Sequence, residues 1–291
     1  MIVCRQRRFG FDAIKYVVGF GLLKKLRKII IVSKHDAVPF SGNGKNHIMP
    51  PEFRRVDEKI RRAGYAFVPG SVMAAGLQVI GLGKDWETFA ASWDDLGFDQ
   101  YMADGGRYRR RRFAAFCVGP DGFTRKAHQP HYQSRDYNIL NGDLERWFEP
   151  VLDPVVEHKV TRDLIGICAR IFDQVSSVSS RSSPWHTEMH QFRIEANNAE
   201  AGRPTPEGMH RDGVDWVCVV LVKRQNIKSG VTEIYDNASQ SQDAFTLSDT
   251  LDTVFLDDER VRHGVTAIEP FKPGTIGYRD VLVLTFRHEN S

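Results

Sequence analysis

The stretch "GMHRDGVDWVCVVLVK", residues 208–223, decides how the second half of this chain folds. From Val214 onward it carries Trp216, Val217, Val219, Val220 and Leu221, the β-branched and aromatic content of a strand entering a core. Just ahead of that run stand His210 and Asp212, two positions apart. Residues at i and i+2 of an extended chain share a face, so His210 and Asp212 point one way and Arg211 the other. Polar side chains at the mouth of an apolar strand either cap it in solvent or hold something there.

Working outward, "EMHQFRIEA" (188–196) precedes this strand, and "GVTEIYD", "AFTLSD", "DTVFLDD", "RHGVTAIEP" and "RDVLVLTFR" follow it. Seven such runs, separated by Gly, Asn, Asp and Pro turns, predict a barrel or sandwich. The first half reads differently. "PEFRRVDEKIRRAGYAFVPG" (51–70) spaces Phe53, Val56 and Ile60 as a helix, breaks at Gly64, and continues as a short strand. "DWETFAASWDDLGFDQYM" (85–102) and "DPVVEHKVTRDLIGICARIFDQVSS" (153–177) are helical in pattern, the second with a stripe from Val156 to Ile171. The expectation is a mainly β chain with flanking helices (α+β), one domain over residues 49–291 with helices packed outside a β core.

Residues 1–48 stand apart. They hold ten Lys/Arg against two acids, whereas residues 49–291 hold 30 Lys/Arg against 35 acids. This N-terminal stretch reads as a basic extension with little fixed structure, ending in the linker-like "SGNGKNHIMPP", with Met49 opening the domain. Within it "YVVGFGLLKKLRKIIIVSK" (16–34) mixes apolar and basic residues; the alternative reading is an interfacial helix on an anionic membrane. No apolar run approaches the roughly 20 residues of a membrane span. A main body with excess acid is also a poor match for nucleic acid. The four cysteines (Cys4, Cys117, Cys168, Cys218) are scattered without a C-x-x-C pair, which suits free thiols and the cytoplasm.

Two ligands do not fix a metal. A third candidate, His263, opens another strand 53 residues after His210. Two histidines and a carboxylate on one side of an octahedral ion leave about three positions open, the pattern of non-haem Fe(II) oxygenases. Arg279 follows 16 residues later at the entrance of the last strand. A guanidinium grips a carboxylate through two parallel charge-assisted hydrogen bonds, and the distal carboxylate of 2-oxoglutarate needs such a partner. Alternation puts Thr285 on the Arg279 face, where its hydroxyl could add to the grip, with Arg287 the next cation along. The competing reading pairs Arg279 with Asp280 at the surface.

In combination, "EGMHRDGVDWV", "RHGVTAI", "RDVLVLTFR", "MHQFRIEA" and "HYQSRDYNILNGDLERWFEP" (131–150) resemble the bacterial 2-oxoglutarate-dependent Fe(II) dioxygenases that hydroxylate free amino acids, the isoleucine dioxygenase group. The resemblance runs from about residue 50 to the C-terminus. It implies a double-stranded β-helix (jelly-roll, cupin-like) core, and Fe(II) held by His210, Asp212 and His263 as catalytic ligands. It further implies 2-oxoglutarate as cosubstrate anchored by Arg279, O2 as oxidant, release of succinate and CO2, and a small-molecule amino-acid substrate. Two other classes remain: a non-oxidative metal-dependent cupin-like enzyme, and a catalytically silent jelly-roll binding module.

Substrate contacts are less determined. In "EMHQFRIEA", His190, Phe192 and Ile194 share one face, Gln191 and Arg193 the other. If the apolar face packs on the helices, Gln191 and Arg193 point inward as substrate contacts; reversed, Arg193 is solvated. "GGRYRRRRFAAF" (105–116) puts Arg107, Arg109 and Arg111 on one face. It reads as a solvated strand edge or as a source of a substrate-carboxylate anchor. His128 and His131 in "HQPHY" look like a metal pair, but Pro130 and the lack of nearby acids favour a loop role.

Overall fold

In the computed structural model the described residues are 37–40, 53, 55–77, 83–176 and 184–289. In chain order they form β1 (Val38–Pro39), α1 (Val56–Ala63), β2 (Tyr65–Val68), α2 (Gly70–Gly76), α3 (Lys84–Ala91), β3 (Arg109–Gly119), β4 (Gly122–Arg125), α4 (Asp153–Val156) and α5 (Lys159–Val175). The strand-rich part continues with β5 (Trp185–Ala196), β6 (Trp216–Gln225), β7 (Ile227–Ser229), β8 (Thr232–Asp236), β9 (Gln242–Phe245), β10 (Thr253–Asp257), β11 (Val261–Val265), β12 (Ile268–Pro270) and β13 (Gly277–His288).

Eight strands make one antiparallel sheet in the order β1-β4-β3-β5-β13-β6-β10-β2. A smaller sheet, β11-β8-β9, faces it, and Val217, Val254 and Leu256 of the large sheet pack against Ile234 and Val261 of the small one. This is the jelly-roll core with helices outside. Strand alternation explains the layering. On β6 and β13, Cys218, Val220, Leu282, Leu284 and Phe286 turn outward and bury against Leu164, Ile167 and Phe172 of α5. Their sequence neighbours turn inward.

The helices start and stop where the sequence suggests, with two departures. Helix α1 ends at Gly64, whose φ of 74° is left-handed and lets its N–H return to the Ile60 carbonyl. The run from residue 85 is helical only to Ala91, then closes in a 3-10 turn, Ser92–Asp95. The run from residue 153 splits into α4 and α5, because His158 adopts extended backbone and caps α5 by accepting from the Val160 N–H at 3.2 Å.

Three expectations are corrected. "GGRYRRRRFAAF" is no solvated edge: β3 lies between β4 and β5, and Arg109, Arg111 and Arg112 are buried. Val38–Pro39 pairs with Gly122–Phe123, and Phe40 stands against Phe123 at 6.3 Å between ring centroids, so the fold draws on residues before Met49. The rest of the basic extension, with its amphipathic run, lies outside the described residues. Cys168 and Cys218 are free and buried, but Cys117 is disulfide-bonded. Among the described residues no helix is long and apolar enough to cross a membrane.

Candidate active site

The segment between Gly208 and Asp215 is a loop leading into β6, not the strand itself. It is tied down twice. His210 forms a lone β-bridge with His263 of β11, each N–H donating to the other's carbonyl at 3.0 and 2.9 Å. The buried Asp258 carboxylate then accepts from the N–H groups of Asp212, Gly213 and Val214 at 2.9, 2.8 and 3.1 Å. Gly213, at φ 79°, makes the turn that aims those amides at one acid.

This backbone brings the three sequence candidates together. His210 Nε2 lies 3.7 Å from Asp212 Oδ1, and His263 Nε2 lies 3.6 Å from Asp212 Oδ2. One donor atom of each residue falls within 4.8 Å of the others. His210 Nδ1 is 3.0 Å from the Gly208 carbonyl, so it is committed as a donor and Nε2 is left for a metal. Gln133 Nε2 donates to Asp212 Oδ1 at 3.2 Å and to its carbonyl at 3.0 Å, while Arg146 Nη2 donates to Gln133 Oε1 at 3.0 Å. The donor set suits a divalent first-row ion: two imidazoles and a carboxylate, with His210 and Asp212 steered by outer partners and His263 fixed through its backbone.

Charge gathers at the same point. Burial works against a proton on His210, yet Asp212 and Glu207, whose Oε1 is 3.6 Å from His210 Nε2, raise it to about 9. Burial and the His210 charge lower His263 to about 4. Burial pushes Asp212 up, but the two histidines outweigh it and hold the carboxyl below its ordinary range. A divalent ion held here would replace that proton as the positive charge both carboxylates face.

The triad opens into a cavity of about 470 Å³ between the sheets. Arg279 and Thr285 both line it, as alternation requires, together with Val281, Val283 and Arg287. Arg279 is 2% exposed, and its Nε and Nη2 have no hydrogen-bond partner. The reading that paired it with Asp280 fails: Asp280 faces outward and takes a two-pronged contact from Arg193 at 2.7 and 2.8 Å. Burial, then Arg224, lowers Arg279 to about 10, so it stays cationic at neutral pH. Thr285 sits six residues along β13, about 20 Å from Arg279 at roughly 3.3 Å per residue. One small diacid cannot reach both, so Thr285 is not part of the Arg279 grip.

Gln191 and Arg193 need the opposite correction. On β5 it is His186, Glu188, His190, Phe192 and Ile194 that line the cavity. Gln191 donates to Ser92 Oγ at 2.9 Å on the helix side, and Arg193 binds Asp94 and Asp280 there. The register that pairs Gln191 with Leu282 and Arg193 with Asp280 fixes this orientation, which side-chain polarity alone could not.

Sequence reading missed a second polar cluster on that wall. His131 comes from the loop after β4 and meets Glu188 at 2.8 Å, 57 residues away in sequence. Arg111 Nη2 is 2.6 Å from His190 Nδ1, and Arg146 is almost fully buried. The only sequence signal was the alternation His186-Glu188-His190. His128 stacks edge-on against Trp147, so the His128–His131 pair is split. Burial and the nearby arginines lower His131 and bring His190 to about 3, well under the ordinary 6.5. Below about 6.5 the unfolded chain takes up protons that these folded imidazoles refuse, so stability falls as pH falls. Metal-free protein should therefore show a melting temperature that drops steadily from about pH 6.5 to about pH 4, with a shallower slope in His190→Asn. A pH-independent melting temperature across that window would contradict it.

The 2OG-Fe dioxygenase family model matches residues 90–285. The chain belongs to the 2OG-Fe dioxygenase family. Members use Fe(II), 2-oxoglutarate and O2, and this chain is a 2-oxoglutarate-dependent Fe(II) dioxygenase. It is similar to a bsmA homologue from Methylobium petroleophilum PM1, with 32% identity and a TM-score of 0.73 over 81% of this chain and 93% of that one. It is 22% identical to the 3(1)-hydroxy-L-isoleucine 4-dioxygenase of Pantoea ananatis (strain AJ13355), covering 78% of this chain and 93% of the relative. It shares its fold with IDO from Bacillus thuringiensis, at 17% identity and a TM-score of 0.68 over 81% of this chain and 99% of that one. Dioxygenase membership displaces both the non-oxidative cupin-like enzyme and the silent binding module.

Proposed function

We propose that this 2OG-Fe dioxygenase hydroxylates a free aliphatic L-amino acid, with His210, Asp212 and His263 holding the iron and Arg279 anchoring 2-oxoglutarate. The observation that carries the reading is the convergence of the three donors at a cavity whose wall also holds a buried, unpartnered guanidinium. Bound iron would couple O2 activation to oxidative decarboxylation of 2-oxoglutarate, giving succinate and CO2.

The chain's own residues account for the rest. Arg279 presents two free N–H donors to the distal carboxylate. The Gly208 carbonyl keeps His210 Nδ1 as donor, and Gln133 orients Asp212. Phe192, Val219, Val281 and Val283 supply an apolar lining that excludes water from a reacting aliphatic carbon. Arg111 and Arg146, buried on the cavity wall with an unpartnered Nε each, are suited to a substrate carboxylate. The Pantoea relative is named for action on a hydroxylated isoleucine, which favours the same substrate class.

The test is a screen of the twenty amino acids with Fe(II), ascorbate and 2-oxoglutarate, read by mass spectrometry. At least one aliphatic amino acid should gain a single oxygen atom with matching succinate, and its α-carboxamide should not react. Equal turnover of the amide or of an internal peptide residue would move the substrate class to peptides.

A further inference from the structure

Further along the same sheet face as Arg279 stands a second histidine–carboxylate set. His131 Nδ1 lies 2.8 Å from Glu188 Oε2, His190 Nε2 lies 3.5 Å from the same oxygen, and His186 Nε2 lies 3.4 Å from Oε1. One ligand atom each from His131, Glu188 and His190 falls within 4.8 Å of the others, as close as in the His210–Asp212–His263 triad. Composition alone would make this a second metal site.

The hydrogen positions argue otherwise. His190 Nδ1 faces the Arg111 guanidinium at 2.6 Å, and His186 Nδ1 faces the Lys126 ammonium at 2.7 Å. Both partners are donors only, so each Nδ1 carries the lone pair and each Nε2 carries the hydrogen. Those Nε2–H groups point at Glu188, as does His131 Nδ1–H. All three imidazoles thus turn N–H toward the carboxylate, and none offers it a lone pair. A divalent ion needs lone pairs and would require those hydrogens to be removed, whereas an ammonium needs only the carboxylate.

Glu188 is therefore an anion wrapped by neutral donors. Among the described residues, no Lys or Arg nitrogen lies within 4.0 Å of it, and its side chain is 13% exposed, toward the cavity. The three imidazole N–H groups bring no charge and leave one of its roughly four lone-pair positions open, so the site suits a small cation with hydrogens to donate. It also lies apart from the cosubstrate anchor. Glu188 shares a rung with Thr285, whereas Arg279 shares one with Ile194, six residues along the strand.

We propose that Glu188, held by His131, His186 and His190, accepts the α-ammonium of the substrate, an assignment that rests on the free amino-acid reading above. Arg111 and Arg146 then stand on the same wall for the carboxylate. The enzyme becomes selective for a primary amine: the 2-hydroxy acid with the same side chain is excluded, as is any N-acylated form.

The experiment uses calorimetry on protein loaded with Mn(II) and 2-oxoglutarate. L-isoleucine, L-leucine and L-methionine are each titrated beside the 2-hydroxy acid bearing the same side chain. Wild type should favour the amino acid by on the order of ten- to a hundredfold, the range of a charged hydrogen bond. Glu188→Gln should bring that ratio close to one with 2-oxoglutarate affinity unchanged, and Glu188→Asp should recover part of it. A preference that survives Glu188→Gln, or that Glu207→Gln removes instead, overturns the assignment. So does a second equivalent of Mn(II) per chain that Glu188→Gln loses. Wild type that binds 2-oxoglutarate but neither form of any of the three side chains refutes the amino-acid reading, and the Glu188 assignment with it.

Discussion

Asp212→Ala should abolish succinate formation and leave the chain folded. The carboxylate stands between the two histidine Nε2 atoms at 3.7 and 3.6 Å, so its removal deletes the one anionic ligand of the set. Loss of a partner that merely orients a ligand costs about 10–100-fold, and loss of the ligand itself should exceed that. Folding should tolerate the change. Asp212 is on a loop ahead of β6, its side chain is 21% exposed, and the loop is fixed by backbone bonds to Asp258 and His263 that alanine preserves. Turnover measured with saturating Fe(II), beside a thermal melt of the same sample, checks both halves. Residual activity within tenfold of wild type would remove Asp212 from the metal, and a collapsed melting temperature would make its role structural.

Arg279→Ala should raise the KM for 2-oxoglutarate by about ten- to a hundredfold, the range for a hydrogen bond to a charged group. A fully buried guanidinium with two orphan N–H groups is costly to keep unless an anion completes it. Among the described residues no acid lies within ion-pair distance of Arg279; Asp280, its neighbour in sequence, is bound to Arg193. Arg279→Lys should recover only part of the loss, because an ammonium cannot reproduce the two-pronged geometry. Succinate production against 2-oxoglutarate concentration gives the answer, and an unchanged KM would shift the anchor to another cation on the cavity wall.

The fold was legible because its strands alternate cleanly and its turns are marked. The spacing of His210, Asp212 and His263 was enough to bring them together, since a bridge across two strand mouths needs only the right register. Orientation was the blind spot. Period-2 patterning says that His190 and Phe192 oppose Gln191 and Arg193, but not which side is the core, and here the outward side buries charge in ion pairs with Asp94 and Asp280. Depth was the second. Alternation puts Thr285 with Arg279 on one face, yet says nothing about whether a ligand of five carbons spans six residues. Long-range pairing was the third. His131 looked like a loop histidine because its acid arrives from a strand 57 residues on.

The bridge between His210 and His263 bears on how the metal is acquired. Two of the three proposed ligands are stitched to each other by main-chain bonds that owe nothing to the ion. Small zinc-stabilised modules must spend much of their binding energy on creating order, because the apo chain is a coil. Here the ligand spacing exists beforehand, so nearly all the affinity of the donors is available to the ion. The same stitching decouples loading from folding: a chain that loses its iron keeps the receptacle, and can be refilled without being rebuilt.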